Sequence, residues 1–147
     1  MAAEKFKVYE KGLLKVLNQS LDFINDTMKA ALLVDGYTRD LAAHEFFSDV
    51  SANECADPDY AQITLSGKDI SIVSNKPRFD FADLDFGNSV TISAKWLIIY
   101  KDTGTPSTSP LLLSSDLNSG GGNLSSVNSD FDVSLNAAGA YEITPNV

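Results

Sequence analysis

"AKWLIIYKDTGTPSTSPLLLSSDL" occupies residues 94–117. An apolar run containing Trp96 stops at Lys101 and Asp102, crosses a loop of Thr, Gly, Pro and Ser without a charge, and resumes as leucines. On the N-terminal side the alternation extends back to Val90. Val90, Ile92, Ala94, Trp96, Ile98 and Tyr100 fall on one face of a strand, and Leu97 and Ile99 load the other face of its second half. The spacing predicts one strand over residues 90–100, buried on both sides towards its end, and a second strand beginning at Leu111 and Leu113.

The same period of two recurs through the rest of the chain. Ile63 and Leu65, Ile70 and Ile72, Phe79 and Phe81, Phe131 with Val133 and Leu135, and Tyr141 with Ile143 alternate with polar neighbours. Turn chemistry separates them at Ser66-Gly67, residues 75–77, Gly87-Asn88, residues 120–123 and Ala138-Gly139. Short strands at this spacing predict an antiparallel β-sandwich or partial barrel. Upstream, Phe6, Tyr9, Leu13 and Val16 or Leu17 recur at helical spacing, with Leu14 widening the stripe, Gly12 as a mild interruption and "NQS" at residues 18–20 as the stop. Residues 28–33 predict a strand with Met28, Ala30 and Leu32 on one face and Lys29, Ala31 and Leu33 on the other. "TRDLAAHEFFSDVSANE" predicts a second short helix capped by Thr38 or Asp40, burying Leu41, Phe46 or Phe47, and Val50. The expected fold is therefore mainly β with α, with one or two short helices in the N-terminal third. A single domain spans 1–147, its helix-containing segment 1–56 packed on a β body 57–147.

Composition narrows the function classes. A chain of 147 residues with 44% hydrophobic and 21% charged residues can build its own core. The net charge of −9 argues against a nucleic-acid partner, which needs clustered Lys and Arg. Four basic residues, Lys5, Lys7, Lys11 and Lys15, lie in the first helical segment, and none follows Lys101. With one cysteine, no intrachain disulfide forms and no zinc site is built from thiolates. No apolar run reaches membrane-spanning length, and the N-terminus lacks a secretory pattern, so neither a membrane nor export is expected.

Catalytic chemistry finds few candidates. His44, the single histidine, reads as a helix-surface residue, and no G-x-S-x-G surrounds any serine. Glu54, Asp57 and Asp59 around Cys55 would raise its thiol pKa and make it a poor nucleophile. Asp80, Asp83 and Asp85 are close enough in sequence to suggest calcium, but the EF-hand pattern and its glycine are missing, and the alternating strand places Asp80 in solvent. The 101–110 loop lacks the Gly-Lys-Ser/Thr ending of a phosphate loop. No enzyme activity, cofactor or metal is expected.

Two segments, "DTMKAALL…YTRDLAAHEFFSDVSANEC" and "AKWLIIYKDTGTPSTSPLL", together resemble a family of small virion structural proteins of tailed bacteriophages. The residues that carry the likeness are Tyr37, Thr38, His44 to Phe47, Asp49 to Glu54, and Tyr100 to Leu111, within a match spanning residues 4–117. Cys55 replaces an expected valine, and "CADPDYAQ" replaces a glycine-rich segment. The resemblance implies a non-enzymatic virion component: a capsid cement (decoration) protein that binds the assembled major capsid protein shell and stabilises it, as a homotrimer over subunit junctions. It would be made in the host cytoplasm and reside on the capsid surface. The candidate contacts are the loop Thr103, Gly104, Thr105, Pro106, Ser107, Thr108, Ser109 and Pro110, whose uncharged character permits burial against a neighbour, and the basic residues Lys5, Lys7, Lys11 and Lys15, facing an acidic capsid surface. The alternatives are a tail or head–tail connector subunit and, in another class, a carbohydrate-binding sandwich module for host attachment that would use Tyr9, Tyr37, Tyr60 or Tyr141.

Overall fold

The computed structural model describes residues 4–145, and these are mostly β, sandwich-like, with several antiparallel sheets and one α-helix near the N-terminus. In chain order the elements are β1 (Lys7–Val8), α1 (Glu10–Leu17), β2 (Met28–Leu33), β3 (Ile63–Thr64), β4 (Asp69–Val73), β5 (Lys76–Asp80), β6 (Leu84–Asp85), β7 (Ser93–Ala94), β8 (Trp96–Lys101), β9 (Leu111–Asp116), β10 (Leu124–Ser125), β11 (Asp132–Val133) and β12 (Tyr141–Glu142). The central sheet has five strands in the order β1-β9-β8-β2-β3, and three small sheets pair β12-β5-β4, β11-β6 and β10-β7. Residues 4–56 are thus woven into the fold, because β1 and β2 are strands of the central sheet.

That sheet is covered on both faces. Met28, Ala30 and Leu32 of β2, Leu97 and Ile99 of β8, and Leu112 and Leu113 of β9 enter one core, filled from the small sheets by Phe79, Phe81, Phe86, Phe131 and Val133. Ala31 and Leu33, Trp96, Ile98 and Tyr100, and Leu111 enter a second core, closed by Tyr9, Tyr37, Phe47 and Val50. The β2 side chains divide between the faces as their alternation predicts.

The predicted continuous strand over residues 90–100 is interrupted. Ile92 and Ala94 belong to the first core, whereas Trp96 belongs to the second, so the alternation inverts at Lys95. The Lys95 N–H leaves the regular ladder to reach Leu33 O, and its carbonyl accepts from Leu117 N at 2.7 Å. A second irregularity sits opposite: Ile99 pairs with Leu113 but Tyr100 with Leu111, leaving Leu112 as an extra residue. Such a bulge lets consecutive leucines serve the same core.

The predicted helix over residues 38–54 does not form. The segment wraps the second core in turns, with two single 3-10 turns at Phe47–Asp49 and Ser51–Asn53. Its backbone donors go elsewhere: Asp40 Oδ1 accepts Ala42 and Ala43 N–H, and Asp49 Oδ2 accepts Glu45 and Phe46 N–H. These local bonds compete with helical ones. Phe47 and Val50 are buried as expected, while Leu41 and Phe46 are half-buried.

The first helix is shorter than its apolar stripe. Phe6 and Tyr9 precede it as buried residues, and Leu14 and Leu17 point to solvent. Gln19 in the left-handed region, just after Asn18, ends it, at the predicted stop. The face that α1 buries is Gly12, where an added Cβ would stand 2.0 Å from Leu111 O. Gly12 is therefore the point of closest approach between helix and sheet. Helix propensity alone would make Gly12→Ala stabilising by about 1 kcal/mol; the expected outcome is instead a loss of about 2 kcal/mol or more from forced separation of α1 and β9, read as a lower urea midpoint.

Candidate functional site

The loop between β8 and β9 is built as a small rigid body. Its root is closed by Lys101 N–H to Pro110 O at 3.0 Å and Asp102 N–H to Thr27 O at 2.8 Å. Thr103 Oγ1 lies 2.6 Å from Thr108 Oγ1, 3.0 Å from Ser109 Oγ, and donates to Thr105 O at 3.1 Å. Ser109, itself buried, donates to Thr105 O at 2.8 Å and accepts from Thr103 N–H. Pro106 opens a single 3-10 turn over Pro106–Thr108. From below, Phe47 N–H donates to Ser109 O at 2.8 Å and Leu111 N–H to Glu45 O at 2.9 Å.

The hydroxyls of Thr103, Thr108 and Ser109 are therefore engaged within the loop. What the loop offers outward is shape, with Gly104, Thr105, Pro106 and Ser107 exposed, while Pro110 is buried. Residues 37–54 and 100–111, which carry the resemblance, meet here in one corner: Phe47 stacks on Tyr100 with centroids 4.3 Å apart and planes at 11°.

A hollow of about 430 Å³ opens between this loop and the edge of the central sheet. Lys29, Glu54, Gln62, Tyr100 and Asp102 line it beside Phe47, Gly104, Pro106 and Ser109. Lys29 Nζ pairs with Asp102 Oδ2 at 2.8 Å, and this bond, followed by the Gly104 N–H on the same carboxylate, lowers the Asp102 pKa. Tyr100 donates to Gln62 Oε1 at 2.5 Å, and burial, then the Asp102 charge, pushes its phenol up to about 12. Glu54 and Gln62 escaped the sequence reading. They are joined to the loop only by tertiary structure, although Glu54 closes the "SANE" of the resemblance.

The four lysines do not form one basic face. Lys5 and Lys7 precede α1, Lys5 reaching Glu142 at 3.4 Å and Lys7 lying exposed on β1. Lys11 and Lys15 converge on Glu45 at 3.7 and 2.7 Å, so their charge is largely matched within the molecule.

His44 is not on a helix surface: half-buried, its Nδ1 lies 2.9 Å from the Tyr37 hydroxyl, which is 2.8 Å from that of Tyr9. Tyr9 and Tyr37 are buried, Tyr60 bonds Glu54 and the Leu32 N–H, and Tyr141 lies along Phe79. None of the four presents an open ring in a groove. The Cys55 thiol is pushed up to about 11, by burial before any effect of Asp57, to which it donates at 3.2 Å.

The three aspartates considered for calcium separate. Asp80 pairs with Arg78 at 3.3 Å, whereas Asp83 and Asp85 line a second hollow of about 230 Å³ with Asp132 and Ser134. No cluster of three or more His, Cys, Asp or Glu suited to a metal ion occurs among the described residues. Comparisons with protein-family models, with curated proteins and with solved structures found no match.

Asp85 and Asp132 are direct cross-strand partners. Loss of hydration and then the facing Asp85 charge raise the Asp132 pKa. A carboxyl that holds its proton more tightly when folded favours folding while protonated. Its ionisation therefore costs stability as pH rises from 3.8 through the raised folded value. Asp132→Asn is expected to raise the urea midpoint near neutrality and to leave it unchanged well below pH 3.8.

Proposed function

We propose that this chain is a non-catalytic structural protein of a tailed-bacteriophage particle, a cement protein that binds the assembled major capsid protein shell as a homotrimer. The observation that carries the reading is the corner formed by residues 37–54 and 100–111, where the resembling segments build one preorganised, uncharged surface loop. A loop whose Thr103, Thr108 and Ser109 hydroxyls are already paired loses little entropy on docking and brings no charge to desolvate. Exposed apolar side chains are in keeping with protein neighbours: Leu14 and Leu17 on α1 and Ile72 on β4 are 60%, 72% and 72% accessible. A protein that binds only the assembled shell stabilises it by mass action, and many modest contacts add up over a lattice.

The test mixes purified protein with expanded capsids lacking it and with unexpanded ones, and measures occupancy after sedimentation. Stoichiometric binding to expanded capsids, with light scattering giving a trimer, is the expected result. Binding to neither form would falsify the reading, and rings or tubes of free protein would favour a tail or connector subunit. Thr103→Val keeps the side-chain shape and removes four hydrogen-bond contacts from the loop. It should weaken capsid binding about five- to tenfold, matching roughly 1 kcal/mol of lost preorganisation, with the thermal midpoint nearly unchanged.

A further inference from the structure

The hollow beside the β8–β9 loop is lined by both polar and apolar side chains. In its polar lining Glu54 Oε1 accepts hydrogen bonds from the Tyr60 hydroxyl at 2.7 Å and from Gln62 Nε2 at 2.6 Å. Gln62 is held in turn by Tyr100 through its Oε1. The Glu54 side chain is thereby fixed in orientation, and its Oε2 has no hydrogen-bond partner among the described residues. Asp102 is occupied on both oxygens, by Gly104 N–H and by Lys29. With Lys29 offsetting Asp102, one net negative charge remains, at Glu54.

Phe47, which is 4% exposed, and Pro106 supply apolar lining, and at Gly104 an added Cβ would meet nothing within 4 Å, so the space there is open. A volume of about 430 Å³ accommodates one long side chain. Arginine suits such a site. Its methylene stem covers apolar surface while its planar head takes a carboxylate. Its charge is also what a buffered ion pair plus one free carboxylate lacks.

We propose that this hollow is the socket for a single arginine side chain presented by a protein partner, its stem along Phe47 and Pro106 and its guanidinium on Glu54. The identification of that partner as the capsid shell rests on the function proposed above; the chemistry of the socket does not. It gives the uncharged loop a second role, as the rim that shapes the entrance.

The probe is Nα-acetyl-arginine methylamide, titrated into the full-length protein and followed by amide chemical shifts. Its neutral isostere, the citrulline derivative, runs in parallel. The expected result is saturable shifts confined to residues 29, 47, 54, 62 and 100–109, with citrulline about tenfold weaker. Glu54→Gln, which keeps an acceptor for Tyr60, should weaken arginine binding about tenfold. Lys29→Met removes the competing cation and should tighten it. No shift with arginine, equal shifts with citrulline, shifts scattered over the acidic surface, or Glu54→Gln binding as tightly as the wild type would each overturn the proposal. If arginine binds and capsids do not, the socket stands and the cement reading falls; capsid binding without an arginine response gives the reverse.

Discussion

The β8–β9 hairpin carries more apolar side chains than one face can bury, and that surplus dictates how the rest of the chain is laid down. Leu97, Ile99, Leu112 and Leu113 need cover on one side, and Trp96, Ile98, Tyr100 and Leu111 on the other. Each such side chain is worth roughly 1.5–3 kcal/mol when fully buried. Summed over the neighbouring strands, a single uncovered face would therefore forfeit about as much as the whole net stability of a typical domain. The small sheets and their phenylalanines answer the first demand. Residues 34–54 and α1 answer the second, and α1 comes so close that only glycine fits at position 12.

The consequence reaches the surface through the loop that joins the two strands. Because β8 and β9 are clamped between two cores, the ends of the 102–110 loop cannot move apart, and its hydroxyls find one another. Phe46 and Pro110 form an isolated bridge that ties the loop to the wrapping segment. Tyr100 links core to surface: its ring stacks on Phe47 and its hydroxyl orients Gln62 at the neighbouring hollow. Packing, loop and hollow are thus consecutive results of one covering requirement.

Much of this was legible in the residue pattern, and the failures have physical causes. The β2 faces were readable because its alternation contains no irregularity. The face change at Lys95 and the extra residue at Leu112 were not, since a one-residue irregularity inverts every later side chain without leaving a compositional mark. Phe47 and Val50 at helical spacing fit a helix as well as a chain wrapping a flat surface, and Asp40 and Asp49 decided between them by taking backbone N–H groups into turns. Gly12 read as a weak helix position because the neighbour that requires it, Leu111 O, is a hundred residues away in the chain. The loop reads as a candidate contact through the resemblance, with its lack of charge in support. Its rigidity, and the Glu54 and Gln62 side chains beside it, exist only once the sheet is assembled.

The most direct test is backbone ¹⁵N relaxation across residues 94–117. Clamping from two cores predicts order parameters of about 0.85 through residues 102–110, matching β8 and β9. Values below about 0.6 in the loop, with rigid strands on either side, would mean that it moves freely on the nanosecond scale and would contradict the account.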